Sequence, residues 1–393
     1  MQTLKTVFGD YQLQRLPLPT KNQADNLRAW DAADELILQY INEHCQPYLK
    51  QQEKPILILN DAFGALTVSL HKNRTHNGSD SYVSHLAARH NLSLNNLNDT
   101  FTTIPSTEAF QTNYDLVLIK VPKTIALLEH QLYQLKGHIN QNTVIVAAAM
   151  AKHIHTSTLK YFEKIIGTTT TSRATKKARL IFAVNDNLSD HATLRNNKIE
   201  SPYPKSFTND ALKLTLSNHA NVFSKEHLDI GARFMIEQLK HCPTAKHIID
   251  LGCGNGVLGI MAQRLQPIAQ VSFVDESYMA VESAKMNYAE NLSDLKNSPE
   301  VHFAIGNSLD QFTGNKADLI LCNPPFHQAH SIDDQVAWQM FKQSREHLNP
   351  NGELWIVGNR HLAYHIKLKR LFGNCRTIAS NKKFVVLAAS VSF

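Results

Sequence analysis

Residues 248–259 read Ile-Ile-Asp-Leu-Gly-Cys-Gly-Asn-Gly-Val-Leu-Gly. An apolar pair runs into an acid, Asp250. Glycines then occupy the alternate positions Gly252, Gly254 and Gly256 before an apolar face resumes. The pattern predicts a buried strand that ends in a tight turn and opens a helix. Alternate glycines allow positive φ and let the backbone approach a ligand more closely than any Cβ permits. They also raise the entropic cost of ordering the chain, which an ordinary turn has no reason to bear three times. Gly254-x-Gly256-x-x-Gly259 also spells the dinucleotide fingerprint, with Asp275 downstream as a ribose acid.

A worn copy of this stretch lies near the start of the chain, Pro55-Ile-Leu-Ile-Leu-Asn60-Asp61-Ala-Phe-Gly64-Ala-Leu66. Aligned at an offset of 190, Asn60 stands where Asp250 stands and Gly64 matches Gly254, while Ala62 and Leu66 replace two glycines. Three more anchors follow in the same order. Residues 80–91 match 276–287 at an offset of 196, and 114–123 match 317–326 at 203. Gly167, Lys176-Lys177 and residues 180–183 match Gly373, Lys382-Lys383 and 386–389 at 206. A repeat this long means two copies of one fold. In each, short apolar runs alternate with helical patterns and a pair of strands closes the copy. This predicts two tandem Rossmann-like domains of α/β class, each a mostly parallel sheet with helices on both faces and a terminal antiparallel hairpin. Residues 186–206 are polar and proline-containing, so the expected boundaries are a first domain at 1–185, a linker at 186–206 and a second domain at 207–393. The first copy has lost its glycines and is expected to be degenerate.

A chain of 393 residues carrying a net charge of +6 permits a polyanionic partner without demanding one. Five cysteines without metal-type spacing, two of them inside the motifs, argue for reduced thiols in a cytoplasmic protein. His153 and His155, the closest histidine pair, do not share a helical face, so no metal is expected. The start, Met1-Gln-Thr-Leu-Lys-Thr, has no apolar signal core, and no apolar run reaches membrane-spanning length.

In the second copy the strand Val271-Ser-Phe-Val-Asp275 ends in a carboxylate able to accept both ribose hydroxyls of a nucleoside. Asn307 follows a third strand, where the residues alone indicate a turn and a nucleotide-binding fold of this kind would set it over an adenine. Asn323-Pro324-Pro325-Phe326 follows a buried strand, at the edge where open α/β sheets bind ligands. Consecutive prolines stiffen the loop and remove N–H donors. The Asn323 amide oxygen and the Pro324 carbonyl then accept both hydrogens of a planar amine, and Phe326 stacks on its base. Upstream, Phe223, Asp229 and Gly231 are candidates to cover the far end of the cofactor.

With these residues in view the chain is similar to S-adenosylmethionine-dependent methyltransferases. It resembles the ribosomal RNA large subunit methyltransferase G family, guanine-N2 methyltransferases related to small-subunit methyltransferase C. The likeness covers nearly the whole chain, with its most specific segments at residues 222–231, 250–259, 323–327 and from Asn359-Arg-His-Leu to Asn381-Lys-Lys-Phe-Val. It implies methyl transfer to the N2 amine of a guanosine in large-subunit rRNA. The residues alone say only a planar amine: adenine N6, cytosine N4, guanine N2 and protein glutamine all fit, and a non-catalytic RNA-binding scaffold is the reading from another class. Arg173, Lys176, Lys177 and Arg179 in the first copy are the candidate RNA contacts, with Lys367, Lys369 and Arg370 a second basic cluster. The expected partner is protein-free rRNA and the expected state a monomer.

Overall fold

The computed structural model describes residues 2–16, 27–51, 53–186, 201–222, 228–293, 299–325 and 331–391. The chain divides into two compact units, Met1–Tyr203 and Pro204–Phe393. Within the first, Tyr203 Oη donates to Glu129 at 3.1 Å, and the second begins its first strand at Lys205.

The first unit opens with a hairpin, β1 (Gln2–Thr6) and β2 (Gly9–Leu13), then α1 (Ala32–His44) and α2 (Gln46–Lys50). Strands β3 (Ile56–Leu59), β4 (Thr75–Ser79), β5 (Thr102–Pro105), β6 (Leu116–Lys120) and β7 (Val144–Met150) follow. Interleaved with them are α3 (Ala65–Ser69), α4 (Tyr82–Leu94) and α5 (Ile125–Lys136), and then come α6 (Thr156–Ile165), β8 (Thr169–Thr171) and β9 (Ala178–Ala183).

The second unit repeats the plan. A hairpin, β10 (Lys205–Asn209) and β11 (Leu214–Asn218), leads to α7 (Ile230–Ile236), β12 (His247–Leu251), α8 (Val257–Leu265), β13 (Gln270–Asp275) and α9 (Tyr278–Leu292). Next are β14 (Val301–Ile305), β15 (Ala317–Cys322), α10 (Ser331–His347) and β16 (Leu348–Asn359). Helix α11 (Tyr364–Phe372), β17 (Arg376–Ser380) and β18 (Phe384–Ser390) complete it.

Both seven-stranded sheets have the same order, β5-β4-β3-β6-β7-β9-β8 and β14-β13-β12-β15-β16-β18-β17. The first five strands of each are parallel, and the closing hairpin is antiparallel. The central strands are apolar on both faces because helices cover both. On β12, Ile248 packs with Met235 of α7 and Leu258 of α8, whereas Ile249 and Leu251 pack with Phe341 of α10 and Leu368 of α11. The first unit divides likewise, Ile58 joining Ile37 and Leu66 and Leu57 joining Leu128 and Phe162. Strand order reverses between β12 and β15, so a crevice opens at their carboxyl ends, where Asp250 and Asn323 stand.

The pairing registers measure the duplication directly. Leu57 faces Val117 as Ile249 faces Ile320, and Leu59 faces Ile119 as Leu251 faces Cys322. The offsets of 196, 203 and 206 hold in the sheets, but the glycine stretch aligns at 192 rather than 190. Gly64 is therefore the counterpart of Gly256: each caps its helix at φ +79° and +80°, and each leaves no room for a Cβ against Ala88 or Ala284. Asn60 at φ +63° replaces Gly252 at φ +69°, Ile58 replaces Asp250 and Ala62 replaces Gly254. Leu66, aligned above with a glycine of the loop, belongs to α3 and is buried in the core. Matching glycine to glycine misaligned the loop because asparagine tolerates the left-handed region and stood in for one of them.

An asparagine pair four residues apart, within α9 in one unit and at the C-terminal end of α4 in the other, holds each N-terminal hairpin. In the second unit Asn287 accepts from Ser217 N at 2.6 Å and donates to Ser217 O at 3.1 Å, and Asn291 does the same with Thr215 at 3.0 and 2.7 Å. Asn91 bonds Gln14 N and O, and Asn95 bonds Gln12 N and O, in the first unit. These side chains satisfy the open edge of β11 and β2, which backbone pairing leaves unmet.

Candidate active site

Asp250 is fully buried on β12 between β13 and β15. Its Oδ2 accepts from Gly259 N at 2.8 Å, tying the strand to α8 across the loop, and its Oδ1 has no partner among the described residues. Burial, with a smaller push from the Asp275 charge, lifts this carboxyl to about 8. Between strand and helix the backbone turns through Gly252, Gly254 and Gly256, at φ +69°, +54° and +80°. A Cβ on Gly254 would meet nothing within 4 Å, so this glycine leaves open space in front of the loop. Gly259 does different work. A Cβ there would fall 2.4 Å from the Phe273 ring, so glycine lets α8 lie against β13.

Asp275 ends β13 and grips the loop itself, its Oδ2 accepting from Gly254 N at 2.9 Å and its Oδ1 from Ser277 N at 3.0 Å. Gly306 N donates to the Asp275 carbonyl at 3.0 Å, which brings the Asn307 turn alongside. The Asn307 side chain bonds Asp310. An open glycine cradle, a strand-end carboxylate beside it and an orphaned buried oxygen together fit an adenosyl cofactor.

Across the crevice, Asn323 Nδ2 donates to Asp229 Oδ2 at 3.3 Å. Asp229 also caps α7 through Ala232 N at 2.8 Å, with Gly231 buried one residue beyond the start of that helix. Asp229, expected from the sequence to cover the far end of the cofactor, thus lies against Asn323. With the amide N–H engaged there, Oδ1 of Asn323 is the free acceptor, buried and unpartnered among the described residues. Pro324 is buried and Pro325 exposed. Phe223 and Phe326 lie outside the described residues.

The first-unit counterpart of this crevice is filled by its own side chains. Lys120, where Asn323 stands in the second unit, bonds Asp31 at 2.7 Å and Asp34 at 2.8 Å. Asp31 caps α1 as Asp229 caps α7. Burial raises the Asp34 carboxyl to about 6 despite Lys120. Asn60 and Gln131 exchange two amide bonds at 2.9 and 2.8 Å over the turn, and Asp61 takes both Thr67 N and Oγ1 at 2.8 Å.

The four basic candidates of the first unit are not equivalent. Arg173 and Lys177 are exposed, Lys176 bonds Glu35 at 2.9 Å, and Arg179 is half-buried. In the second unit Lys367 pairs with Asp334, and the Arg370 guanidinium lies 5.3 Å over the Trp338 ring. Among the described residues no group of three or more His, Cys, Asp or Glu is placed to hold a metal, and no helix is long and apolar enough to cross a membrane.

Two family models match the chain, the RLMG N-terminal domain over residues 1–187 and the methyltransferase small domain over 213–388. The chain is similar in fold to the solved T. thermophilus 16S rRNA N2 methyltransferase in complex with AdoMet and guanosine, at a TM-score of 0.71 and 19% identity over 99% of this chain and 97% of that one. It is 46% identical to the ribosomal RNA large subunit methyltransferase G of Pseudoalteromonas translucida over 99% of this chain and 98% of that protein. The protein of the same name from Yersinia enterocolitica is also 46% identical, over 96% of this chain and 92% of its own length. On identity sustained through both units, the chain belongs to the ribosomal RNA large subunit methyltransferase G family.

Proposed function

We propose that the second unit transfers a methyl group from S-adenosylmethionine to the exocyclic N2 amine of a guanosine in large-subunit ribosomal RNA. The observation that carries this reading is the Asn323 amide, whose Oδ1 is a buried acceptor without a partner among the described residues and whose Nδ2 is held by Asp229. A buried acceptor left unmet costs about 1–3 kcal/mol, which an arriving N–H recovers.

Gly252, Gly254 and Gly256 would hold the cofactor, with Asp275 at its ribose, Asn307 at its adenine, and Gly231 and Phe223 toward its methionine end. When bound, S-adenosylmethionine supplies an electrophilic methyl group on sulfonium sulfur. Asn323 Oδ1 and the Pro324 carbonyl accept the two amine hydrogens. The nitrogen lone pair is thereby drawn out of conjugation and aimed across the crevice. Phe326 stacks on the base. Transfer of that methyl to the held amine would leave the cofactor as its neutral thioether, and the amine would release one proton to water, so no strong general base is required. Asp229 keeps the amide from flipping.

A guanine N2 amine in a duplex donates to its partner base, so the target nucleotide must be unpaired or extruded, at a cost of a few kcal/mol. Protein-free RNA meets this condition best. Arg173 and Lys177 of the first unit are offered to its phosphates, with Lys176 and Arg179 contributing once released from their present surroundings. The enzyme acts as a monomer in the cytoplasm, where free thiols such as buried Cys253 and Cys322 persist.

Methyl transfer from labelled cofactor onto naked rRNA, assembled subunits and protein, run side by side, tests the reading. Naked large-subunit RNA should be the fastest acceptor, with label in N2-methylguanosine. Asn323→Ala should abolish turnover with cofactor affinity nearly intact, whereas Asp275→Ala should weaken cofactor binding by about 1.5–3 kcal/mol. Label in glutamine, or the same loss of cofactor affinity in both variants, sinks this assignment of roles.

A further inference from the structure

Strands β15 and β16 run parallel, Cys322 beside Ile356, so Asn359 and Arg360 leave the sheet at the same edge as Asn323. Strand β18 begins there too, Asn359 facing Phe384. Two turns meet at this edge, the single 3₁₀ turn Arg360–Leu362 and the hairpin tip at residues 381–383.

They are locked together. Arg360 N donates to Lys383 O at 3.0 Å, and Arg360 Nη1 donates to Asn381 O at 3.4 Å. The Asn381 side chain fixes the hairpin tip by accepting from Lys383 N at 2.9 Å and Phe384 N at 2.7 Å. Ala363, a non-glycine residue at φ +49°, bends the chain into α11 and sets the angle of the first turn. Strain of that kind, at roughly 1–3 kcal/mol, persists where surrounding structure imposes it and collects at functional sites.

The charges exposed here are all of one sign. Arg360, Lys382 and Lys383 are exposed, and among the described residues none has a carboxylate partner. Nor does the local chain supply one, since no Asp or Glu follows Glu353. By contrast Lys342, Lys367 and Arg376 of the same unit lie within ion-pair distance of Glu346, Asp334 and Glu353. The first unit makes a telling comparison. Ala151 N donates to Lys177 O at 2.7 Å in the same arrangement, but alanine stands in place of Arg360 and Lys176 is drawn to Glu35.

We propose that the Arg360–Leu362 turn and the 381–383 hairpin tip form a phosphate-binding ledge that holds the RNA backbone beside the nucleotide presented to Asn323. The assignment rests on the methyltransferase reading above and names where the RNA strand enters that site. Arg360 offers a planar guanidinium fork, and Lys382 and Lys383 offer two mobile ammonium groups. Phosphate contacts fix register and orientation, which is what a target base must have before its amine reaches a narrow acceptor loop.

The test uses the full chain with Arg360→Ala, Lys382→Ala and Lys383→Ala combined, and Arg360→Lys alone. Binding of a labelled single-stranded fragment of large-subunit rRNA is followed by fluorescence anisotropy across a salt series, beside steady-state methyl transfer. The triple variant should weaken binding at least about tenfold and make the log–log salt slope shallower by about 2, at roughly 0.7 per single-strand phosphate. Its turnover defect should appear in KM for RNA, with cofactor affinity by calorimetry and melting temperature preserved. Arg360→Lys should keep the slope. An unchanged slope in the triple variant, or displacement of the fragment by polyglutamate as readily as by unlabelled RNA, would overturn the ledge. Anisotropy needs no turnover, so loss of RNA binding in the triple variant, with wild type methylating only protein, would retain the ledge and reject RNA methylation.

Discussion

Asp250 is a fully buried carboxyl with one oxygen bonded and the other unpartnered among the described residues. Its folded-state value of about 8 lies above the unfolded value near 3.9, so the fold favours the protonated form. Its contribution to stability is full below about pH 4 and is lost as pH rises through about 8. Asp250→Asn keeps the shape without the charge. The stability of this variant relative to wild type should therefore grow by about 1.4 kcal/mol per pH unit between pH 5 and 8, measured by urea unfolding of the cofactor-free protein. A constant difference over that range would show that Asp250 stays ionised. At this scale the sequence reveals what leaves a mark in composition. Glycines at positive φ do so, and Gly252, Gly254 and Gly256 were legible for that reason. The Asp229–Asn323 bond was not, because it joins residues 94 apart and a helix cap accounts for Asp229 equally well.

Strands and helices were legible because strands buried on both faces are written as apolar runs, such as Ile56–Leu59 and, after Asp318, residues 319–322 of β15. The offset at the first loop was not, since only the β3–β6 and β12–β15 registers distinguish Gly64 as a partner of Gly256 from Gly64 as a partner of Gly254. The hairpins ahead of each sheet also escaped the sequence pattern, because α4 and α9 hold them through asparagine side chains. Asn287→Ala and Asn291→Ala should each cost about 1–3 kcal/mol, since each deletes both bonds to one residue of β11. Unfolding midpoints measure the loss, and limited proteolysis should show earlier cutting near β10 and β11. Wild-type midpoints in both variants would mean that water replaces the asparagines without cost.

One chain holds two sheets of the same order, and only one carries an open cradle. Titration calorimetry of the full chain with S-adenosylmethionine should give one site per chain, abolished when Gly254→Val fills that cradle. Two sites, or a site that survives this change, would assign binding to the first unit. The ion pairs in that unit's crevice are also hard to undo one at a time. Replacing Lys120 alone would strand the buried Asp34, and removing one member of such a pair typically costs 3–5 kcal/mol. Replacing Asn60 alone would orphan the amide of Gln131. Each single substitution toward an open pocket is thus a step down in stability, and only several made together keep a balanced interior. The first unit is held in its present state by a ratchet, which leaves its outer surface free to diverge while its interior stays fixed.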